Sequence, residues 1–482
     1  MKKYIAIFCA LGIVLSTVLF FTLGIAGKKS GDAVSGTSPV SSALAVGGTL
    51  ETPAGISSDA LTAEFPDANA SVNFTQSLPV AVATEAIAGK TAASAASKAS
   101  SPASSNVTVQ GGTTVKQPAE LRAVWISYIE LEMLTSTDKS YAAFQKKVNG
   151  MFDAAKAQKM NAVMVHVRSH NDAYYKSSYF PWTSRLTGTQ GKDPGYDPLA
   201  YMVKAAHDRG LQFHAWINPY RVASSDDLTK LADNNPAKVW MTNAQTADDN
   251  CVMKVGGGLY LNPAESRVRE LIVNGVREIV KNYAVDGIHF DDYFYPSAMT
   301  SVIDAASYKN LGGGQSLQQF RRDSVNKLVK GVYDAVKAVN KNVVFGISPS
   351  GNIDYNLNTM YADVRLWGST PGYVDYLCPQ IYFGFNNAAQ PFETCLNNWC
   401  SLTSHQNVKL YIGLALYKSG TEDKYAGESG LNEWKTSTDI LKRQVLSARK
   451  RSKCNGFMVF SFGSFESDAC QKEVENLMSV WN

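Results

Sequence analysis

The feature that most constrains the fold is an alternation, from residue 121 onward, of apolar strand-like runs with amphipathic helical stretches. Eight runs have the length and composition of buried strands: 121–128, 161–170, 211–220, 286–295, 343–350, 374–382, 409–417 and 456–462. Repeated strand–helix units build a parallel sheet, and eight of them predict an α/β fold of the (β/α)8, or TIM barrel, type. An open doubly wound sheet is the alternative, but no glycine-rich phosphate loop follows the first run.

Four helical stretches between these runs carry apolar residues at helical spacing: 197–209, 266–283, 317–339 and 434–450. In the first, Asp197 is placed to cap the N-terminus, Pro198 suits the first helical position, and Gly210 terminates the helix.

The N-terminal segment differs from the rest of the chain. Lys2 and Lys3 precede an uncharged, mostly apolar run over residues 4–26. That run exceeds the roughly 7–15 apolar residues of a cleaved signal and meets the roughly 20 that span a membrane. We therefore expect residues 1–27 to be a signal anchor that holds the protein at the cell membrane with the barrel outside the cytoplasm. The alternative is a signal peptide cleaved after residues 24–27, which would release a secreted protein.

Residues 28–117 are rich in Ser, Ala, Thr and Gly, and their only aromatic residues are Phe65 and Phe74. Such a segment has too little apolar surface to offset the entropy of ordering it, so we predict a disordered linker. Residues 118–482 then form the folded domain. The net charge of +4 is spread along the chain, and no basic cluster is interleaved with aromatics, which argues against nucleic acid as a partner.

Side-chain alternation predicts which strand residues face the barrel interior. Three successive strands place polar residues in phase, in the sets His166, Arg168, His170; His214, Trp216, Asn218; and His289, Asp291, Tyr293. Polar groups inside a barrel are costly unless they line a site, and sites of this fold lie at the C-terminal ends of the strands. For His166 and His214, deeper in their strands, a hydrogen-bonded core role is expected.

The sharpest motif ends the fourth strand, where Asp291 and Asp292 are adjacent. Neighbouring carboxylates raise one another's pKa, and burial adds to the effect, so one acid can stay protonated beside one that is ionised. Glycoside hydrolysis needs this division of roles. The pair is thus the leading catalytic candidate, and Glu130, after the first strand, is a further candidate acid.

Other residues on or after predicted strands are candidates for binding the substrate. They are Arg168, His170, Trp216, Asn218, Tyr220, Arg221, His289, Tyr293, Gln380 and Tyr382. No metal or other cofactor is expected. His166 and His170 share a face, but two pleats of a strand separate them by about 13 Å, too far for one ion.

Four strings, at 121–126, 161–175, 214–221 and 286–296, resemble the bacterial glycosyl hydrolase-like 10 family. The resemblance covers essentially all of residues 118–482. It implies a TIM-barrel glycosidase associated with the cell envelope. It also implies a polysaccharide substrate, and for at least one member that substrate looks like peptidoglycan glycan strands stripped of their peptides.

Two mechanisms remain open at this point. The segment 289–291 is similar to the Arg-x-Asp of α-amylase-type barrels, which makes Asp291 a nucleophile equivalent, but 346–351 lacks the Glu of those enzymes. In the other mechanism, Asp291 and Asp292 serve substrate-assisted hydrolysis of an N-acetylhexosaminide. Two other functions are alternatives. One is a non-catalytic wall-polysaccharide-binding barrel; the other is a metal-dependent deacetylase or esterase of wall sugars, for which the sequence lacks both a metal-binding His cluster and a nucleophile elbow.

Overall fold

The computed structural model describes residue 116, residues 118–244 and residues 250–481. Within these ranges the strands are β1 (Leu121–Ile126), β2 (Ala162–Arg168), β3 (Gln212–Ile217), β4 (Arg221–Ala223), β5 (Val252–Val255), β6 (Gly258–Leu261), β7 (Gly287–Phe290), β8 (Val344–Ile347), β9 (Tyr376–Leu377), β10 (Lys409–Ala415) and β11 (Cys454–Phe460).

The α-helices in the same ranges are α1 (Tyr128–Leu131), α2 (Tyr141–Ala157), α3 (Ser184–Thr187), α4 (Pro198–Asp208), α5 (Pro236–Thr242), α6 (Ser266–Asn282), α7 (Ala305–Leu311), α8 (Leu317–Val339), α9 (Ile353–Asn358), α10 (Val364–Ser369), α11 (Phe392–Leu402), α12 (Gly427–Gly430), α13 (Glu433–Thr436), α14 (Ile440–Ala448), α15 (Phe462–Phe465) and α16 (Gln471–Met478). Short 3-10 turns occupy Leu228–Lys230, Leu416–Lys418 and Asp468–Cys470.

Eight parallel strands close into a barrel in the order β1-β11-β10-β9-β8-β7-β3-β2, and β2 pairs again with β1. The predicted (β/α)8 barrel is confirmed, and the open doubly wound sheet is excluded by this closure. Each barrel strand overlaps one predicted run, although most are shorter than predicted because the polar residues after each strand form loops rather than ladder bonds.

Two apolar cores lie on opposite sides of the barrel wall. Residues such as Val163, Val165 and Ile288 face outward and pack under the helices. Inward-facing residues, among them Trp125, Met164 and Met458, fill the interior. The predicted alternation between an apolar outer face and a mixed inner face is therefore confirmed for most positions.

A register shift in β2 breaks this alternation at one point. His166 pairs with Trp216, but the next pair is Arg168 with Ile217, so the bulge inserts one residue. Arg168 consequently turns to the outer side, where its guanidinium carbon lies 4.4 Å from the centroid of the Phe180 ring. The prediction that Arg168 shares the inner face with His166 is wrong for this reason.

The predicted helix ends are largely confirmed. The Asp197 side chain accepts from the Ala200 amide, Pro198 occupies the first turn, and Gly210 follows α4 with a φ of +67°. The predicted helix over 434–450 is instead two helices, α13 and α14. The chain breaks at Ser437, which is extended, in a run of Thr, Ser and Asp residues whose side chains compete for backbone hydrogen bonds.

A three-stranded antiparallel sheet, in the order β4-β6-β5, is inserted between β3 and α6. It follows the C-terminal end of β3, the end at which TIM-barrel sites lie. The predicted anchor over residues 1–27, and the predicted linker over 28–117 apart from Lys116, fall outside the described residues. None of the described helices combines the length and the apolar character needed to cross a membrane.

Candidate active site

Asp291 lies directly after β7 at the C-terminal end of the barrel and is 3% exposed. Its Oδ2 accepts a hydrogen bond from the Trp216 indole Nε1 at 3.0 Å, and its Oδ1 accepts from the Tyr293 amide at 3.1 Å. Burial, followed by the neighbouring Asp292, raises the pKa of Asp291 well above its ordinary value. The carboxyl is thus fixed in orientation by two donors inside a water-poor pocket.

Asp292 is more accessible than Asp291 and is half-buried. Burial raises the pKa of Asp292 to about 6, while a hydrogen bond with the Gln380 side chain opposes the rise. Gln380 is itself held by donation from its Nε2 to the Ser348 carbonyl at 3.2 Å. The two adjacent acids therefore occupy different environments, which is the condition for one to hold a proton while its neighbour is ionised.

Trp216 is held in place by a stack beneath the pair. Its ring lies 3.3 Å from the His166 ring, centroid to centroid, at an interplanar angle of 15°. His166 Nδ1 accepts from the Tyr128 amide at 3.3 Å, so its Nε2 carries the proton and donates to Asn218 Oδ1 at 3.1 Å. Burial lowers the pKa of His166 to about 3, which keeps the ring neutral. The expected core role of His166 is confirmed.

A second chain of neutral polar groups runs deeper into the barrel. Trp125 Nε1 donates to His289 Nε2 at 3.0 Å, and His289 Nδ1 lies 2.9 Å from the Tyr376 hydroxyl. That hydroxyl lies 3.3 Å from His214 Nδ1. Because His289 Nε2 is an acceptor, its Nδ1 donates to Tyr376, whose proton is then directed to His214. These polar groups are satisfied within the protein, so the interior polarity below the pair is structural.

Close packing of these rings requires glycine on two strands. A Cβ added to Gly346 would lie 2.1 Å from the Tyr376 ring, and one added to Gly287 would lie 2.3 Å from His214 Nδ1. Neither distance is compatible with a side chain, so both glycines make room for the buried rings.

Aromatic rings line the mouth of the barrel on the side of Asp292. Phe460 lies 6.1 Å from Tyr382 and 5.9 Å from Tyr417, centroid to centroid, and Trp125 lies 6.1 Å from Phe460. Tyr417 is 39% exposed. Burial is the main cause of the raised pKa of Tyr382, and Asp292 and Asp291 make smaller contributions. Because these contributions require proximity, Tyr382 and the aromatic wall lie beside the acid pair. Flat apolar rings with hydroxyl tips are suited to stacking on sugar rings.

The opposite side of the mouth is cationic. The Arg221 guanidinium carbon lies 5.3 Å from the centroid of the Tyr293 ring, and Arg221 is one of the charges that oppose the rise in the pKa of Asp291. His170 stands edge-on to Tyr128, with ring centroids 5.2 Å apart. Burial, then Arg221 and Arg185, hold the pKa of His170 well below its ordinary value, so this imidazole is neutral.

Of the predicted site residues, the mouth brings together Asp291, Asp292, His170, Trp216, Arg221, Tyr293, Gln380 and Tyr382. Asn218 and His289 are fully buried beneath them and support other side chains. Tyr220 is also buried, in the outer core. Tyr220 and Arg168 therefore lie behind the barrel wall, contrary to the prediction that they face the site.

Both carboxylate oxygens of Glu130 accept hydrogen bonds from other parts of the protein. Its Oε2 accepts from the Ser127 amide, and its Oε1 accepts from the Ser461 hydroxyl at 2.7 Å and the Gly463 amide at 2.6 Å. The carboxylate thus joins α1, which follows β1, to the start of α15, which follows the neighbouring strand β11.

Sequence reasoning missed Trp125, Tyr376 and Phe460, which complete the interior and the aromatic wall. Each is an inward-facing position at a barrel strand, so the alternation used for β2, β3 and β7 would have found them on β1, β9 and β11. The described residues contain no group of three or more His, Cys, Asp and Glu side chains able to hold a metal ion.

Comparison with known proteins gives several matches. The model of the family described as Glycosyl hydrolase-like 10 matches residues 120–427. A Bacillus subtilis protein named Glycosyl hydrolase YngK is 38% identical over 322 residues, covering 62% of this chain and 61% of that protein. The Escherichia coli K12 protein Glycosyl hydrolase DigH is 28% identical over 417 residues, covering 79% of this chain and 93% of that protein.

Among solved structures, the glycoside hydrolase domain of PgaB (BpsB) from Bordetella bronchiseptica matches with a TM-score of 0.48 and 14% identity. The match covers 75% of this chain and 99% of that domain. The chain spans less than two thirds of the length of the Bacillus relative.

Proposed function

This chain belongs to the glycosyl hydrolase-like 10 family, as its sequence motifs predict, and from that membership we propose that it hydrolyses cell-envelope glycan. We propose as substrate the glycan strands of peptidoglycan that lack stem peptides. One observation carries the proposal: Asp291 and Asp292, adjacent at the C-terminal end of β7, occupy unlike environments beside an aromatic wall. Paired acids of this kind are what glycosidases use to cleave O-glycosyl bonds.

In the substrate-assisted mechanism Asp291 is ionised and Asp292 carries the proton. Burial raises the pKa of both acids, so the mechanism requires the donors to Asp291, namely Trp216, the Tyr293 amide and the bound acetamido N–H, to hold it ionised. Asp291, fixed by Trp216 and the Tyr293 amide, has lone pairs left to accept from the N–H of an acetamido group. The acetamido oxygen attacks C1 while Asp292, whose pKa is about 6, gives its proton to the leaving oxygen. Asp292 then takes a proton from the water that attacks C1 and regenerates the acetamido group.

The alternative mechanism makes Asp291 the nucleophile and requires a separate acid. Glu130 is the candidate from the sequence, but both of its carboxylate oxygens already accept hydrogen bonds, from Ser127, Ser461 and Gly463. De-N-acetylated strands distinguish the two mechanisms, since they lack the internal nucleophile. Cleavage of such strands at the normal rate would exclude substrate assistance and favour Asp291 as nucleophile.

The first experiment incubates the full-length protein with intact and amidase-stripped peptidoglycan strands and follows new reducing ends by mass spectrometry. The Asp291→Asn and Asp292→Asn variants should lose product release from stripped strands. Asp334→Asn is the matched control, because Asp334 is an exposed acid that pairs with Lys330 on α8. Full activity in both site variants would show that the catalytic carboxylates lie elsewhere.

The same experiment tests the second candidate function, a non-catalytic wall-polysaccharide-binding barrel. The wall of Tyr382, Tyr417 and Phe460 would serve binding alone as well as it serves catalysis. Retained binding to strands, with no new reducing ends from either substrate, would favour that function.

For location, we propose that residues 1–27 anchor the protein in the cell membrane and that the barrel faces outward. Protease added to spheroplasts should then digest the barrel while the cells remain sealed, and the chain should sediment with membranes. Protection of the barrel until lysis would refute this topology, and recovery of the barrel in the medium would indicate a cleaved signal peptide.

A further inference from the structure

Arg221 reaches the mouth of the barrel on the inserted sheet rather than on a barrel strand. It begins β4, four residues after the end of β3, and pairs with Tyr260 of β6. The short connection returns the chain over the barrel mouth, so the guanidinium lies above the Tyr293 ring. Tyr293 in turn donates its amide to Asp291. Tyr293 therefore contacts both the Arg221 guanidinium and Asp291, the more buried acid of the pair.

The charge of Arg221 is unpaired in the described part of the chain. No carboxylate there lies within salt-bridge distance of its guanidinium, although the side chain is half-buried. The other cation beside His170 differs in this respect, because Arg185 pairs with Glu132 at 2.8 Å. A stack on a tyrosine ring satisfies none of the five N–H donors of an arginine. Arg221 is thus a partly desolvated cation with its donors available at the mouth.

A glycan carboxylate matches this arrangement. In peptidoglycan the lactyl group stands at C3 of every second sugar, next to the C2 acetamido group that the pair would bind. While a stem peptide is attached, the lactyl carbonyl is a neutral amide. Removal of the peptide by an amidase leaves a carboxylate, which is the group that the planar fork of an arginine binds in bidentate geometry.

We propose that Arg221 recognises the free lactyl carboxylate of the glycan, so that preference for stripped strands is a preference for this charge. The inference rests on the proposed function and adds its specificity-determining residue. The neutral Tyr293 ring and the Arg221 cation form one side of the substrate channel, opposite the aromatic wall. Sugars whose lactyl group is amidated would still reach Asp291 and Asp292, but they would not form a salt bridge with Arg221.

The test compares stripped strands with the same strands after methyl esterification of their carboxylates, using the full-length protein. For the wild type, esterification should lower kcat/KM by about 10- to 100-fold, the range expected for one charge-assisted hydrogen-bonded contact, mostly through KM. Arg221→Gln should lower kcat/KM on stripped strands to the level of esterified strands and change the latter little. Arg221→Lys should retain part of the preference.

Arg185→Gln is the matched control, since its charge is already paired with Glu132, and it should keep the preference for the free carboxylate. An equal loss on both substrates in Arg221→Gln would overturn the proposal, because Arg221 would then act on Asp291 or Tyr293 instead. A loss of preference in Arg185→Gln as large as that in Arg221→Gln would also overturn it. Absence of cleavage of any strand by the wild type would instead be a failure of the proposed glycosidase activity.

Discussion

Replacement of Trp216 by Phe removes the indole N–H that donates to Asp291, together with part of a buried ring. The phenyl ring can keep the stack on His166, whose ring lies 3.3 Å from that of Trp216, but it cannot donate to Asp291 Oδ2. Asp291 is left with the Tyr293 amide as the remaining donor among its described hydrogen bonds. With a control for the lost ring volume, the substitution reports the contribution of the indole N–H to the state of Asp291.

A hydrogen bond to a charged acceptor contributes about 1.5–3 kcal/mol. At about 1.4 kcal/mol per tenfold in rate, kcat/KM should fall by about 10- to 150-fold. The direction in which the pH–rate profile should move also follows from the structure. The Trp216 donor lowers the pKa of Asp291, so its loss raises that pKa further and leaves less ionised Asp291 at low pH. The acid limb of the pH–rate profile should consequently move to higher pH.

Trp367→Phe is the control for the loss of packing. Trp367 is fully buried in the outer core, and its indole Nε1 donates to Asn326 Oδ1 at 2.7 Å. Both variants should lose about 0.5–3 kcal/mol of unfolding free energy. Only Trp216→Phe should show the fall in kcat/KM and the shifted acid limb, measured as reducing ends from stripped strands between pH 4 and pH 8. Equal rate constants and equal pH profiles for the two variants would refute the reasoning.

Three further predictions concern acidity and packing. With Asp292 as the proton donor, kcat/KM should fall as pH rises through about 6, and a flat profile from pH 5 to pH 8 would contradict that role. Burial raises the pKa of Glu473 from 4.5 to about 7, so stability should decline across that window as pH rises; Glu473→Gln should gain up to about 3 kcal/mol at pH 8 and nothing at pH 4 by urea denaturation. Gly346→Ala should lower the free energy of unfolding by about 1–3 kcal/mol, because its Cβ would overlap the Tyr376 ring. Gly150→Ala, in the open on α2, should raise it by about 0.5–1 kcal/mol, and equal melting temperatures would contradict the close packing at Gly346.

Local sequence determined the barrel. Each strand is a short apolar run whose alternate residues match an outer core, as Val163, Val165 and Ile288 show. Helix α4 also carries its own N-cap, Asp197. These signals act over neighbouring residues and predict eight strand–helix units, the number found in a (β/α)8 barrel. The acid pair could also be predicted, because the adjacency of Asp291 and Asp292 at a strand end is a property of the sequence itself.

Tertiary structure decided which polar residues face the site. The bulge in β2 turns Arg168 outward, and Tyr220 packs into the outer core, although both lie at predicted strand ends. A bulge depends on how two strands pair, so the sequence of one strand does not predict it. Glu130 likewise binds Ser461 and Gly463, more than 300 residues away in the chain.

The unlike environments of the two acids also come from distant parts of the chain. Trp216 reaches Asp291 from β3, Gln380 reaches Asp292 from the loop after β9, and Arg221 arrives on an inserted sheet. The sequence by itself thus determined the barrel and the acid pair, because strand pattern and adjacency are local. The burial, donors and charges that differentiate the pair depend on which residues meet in space, and only the folded barrel brings those together.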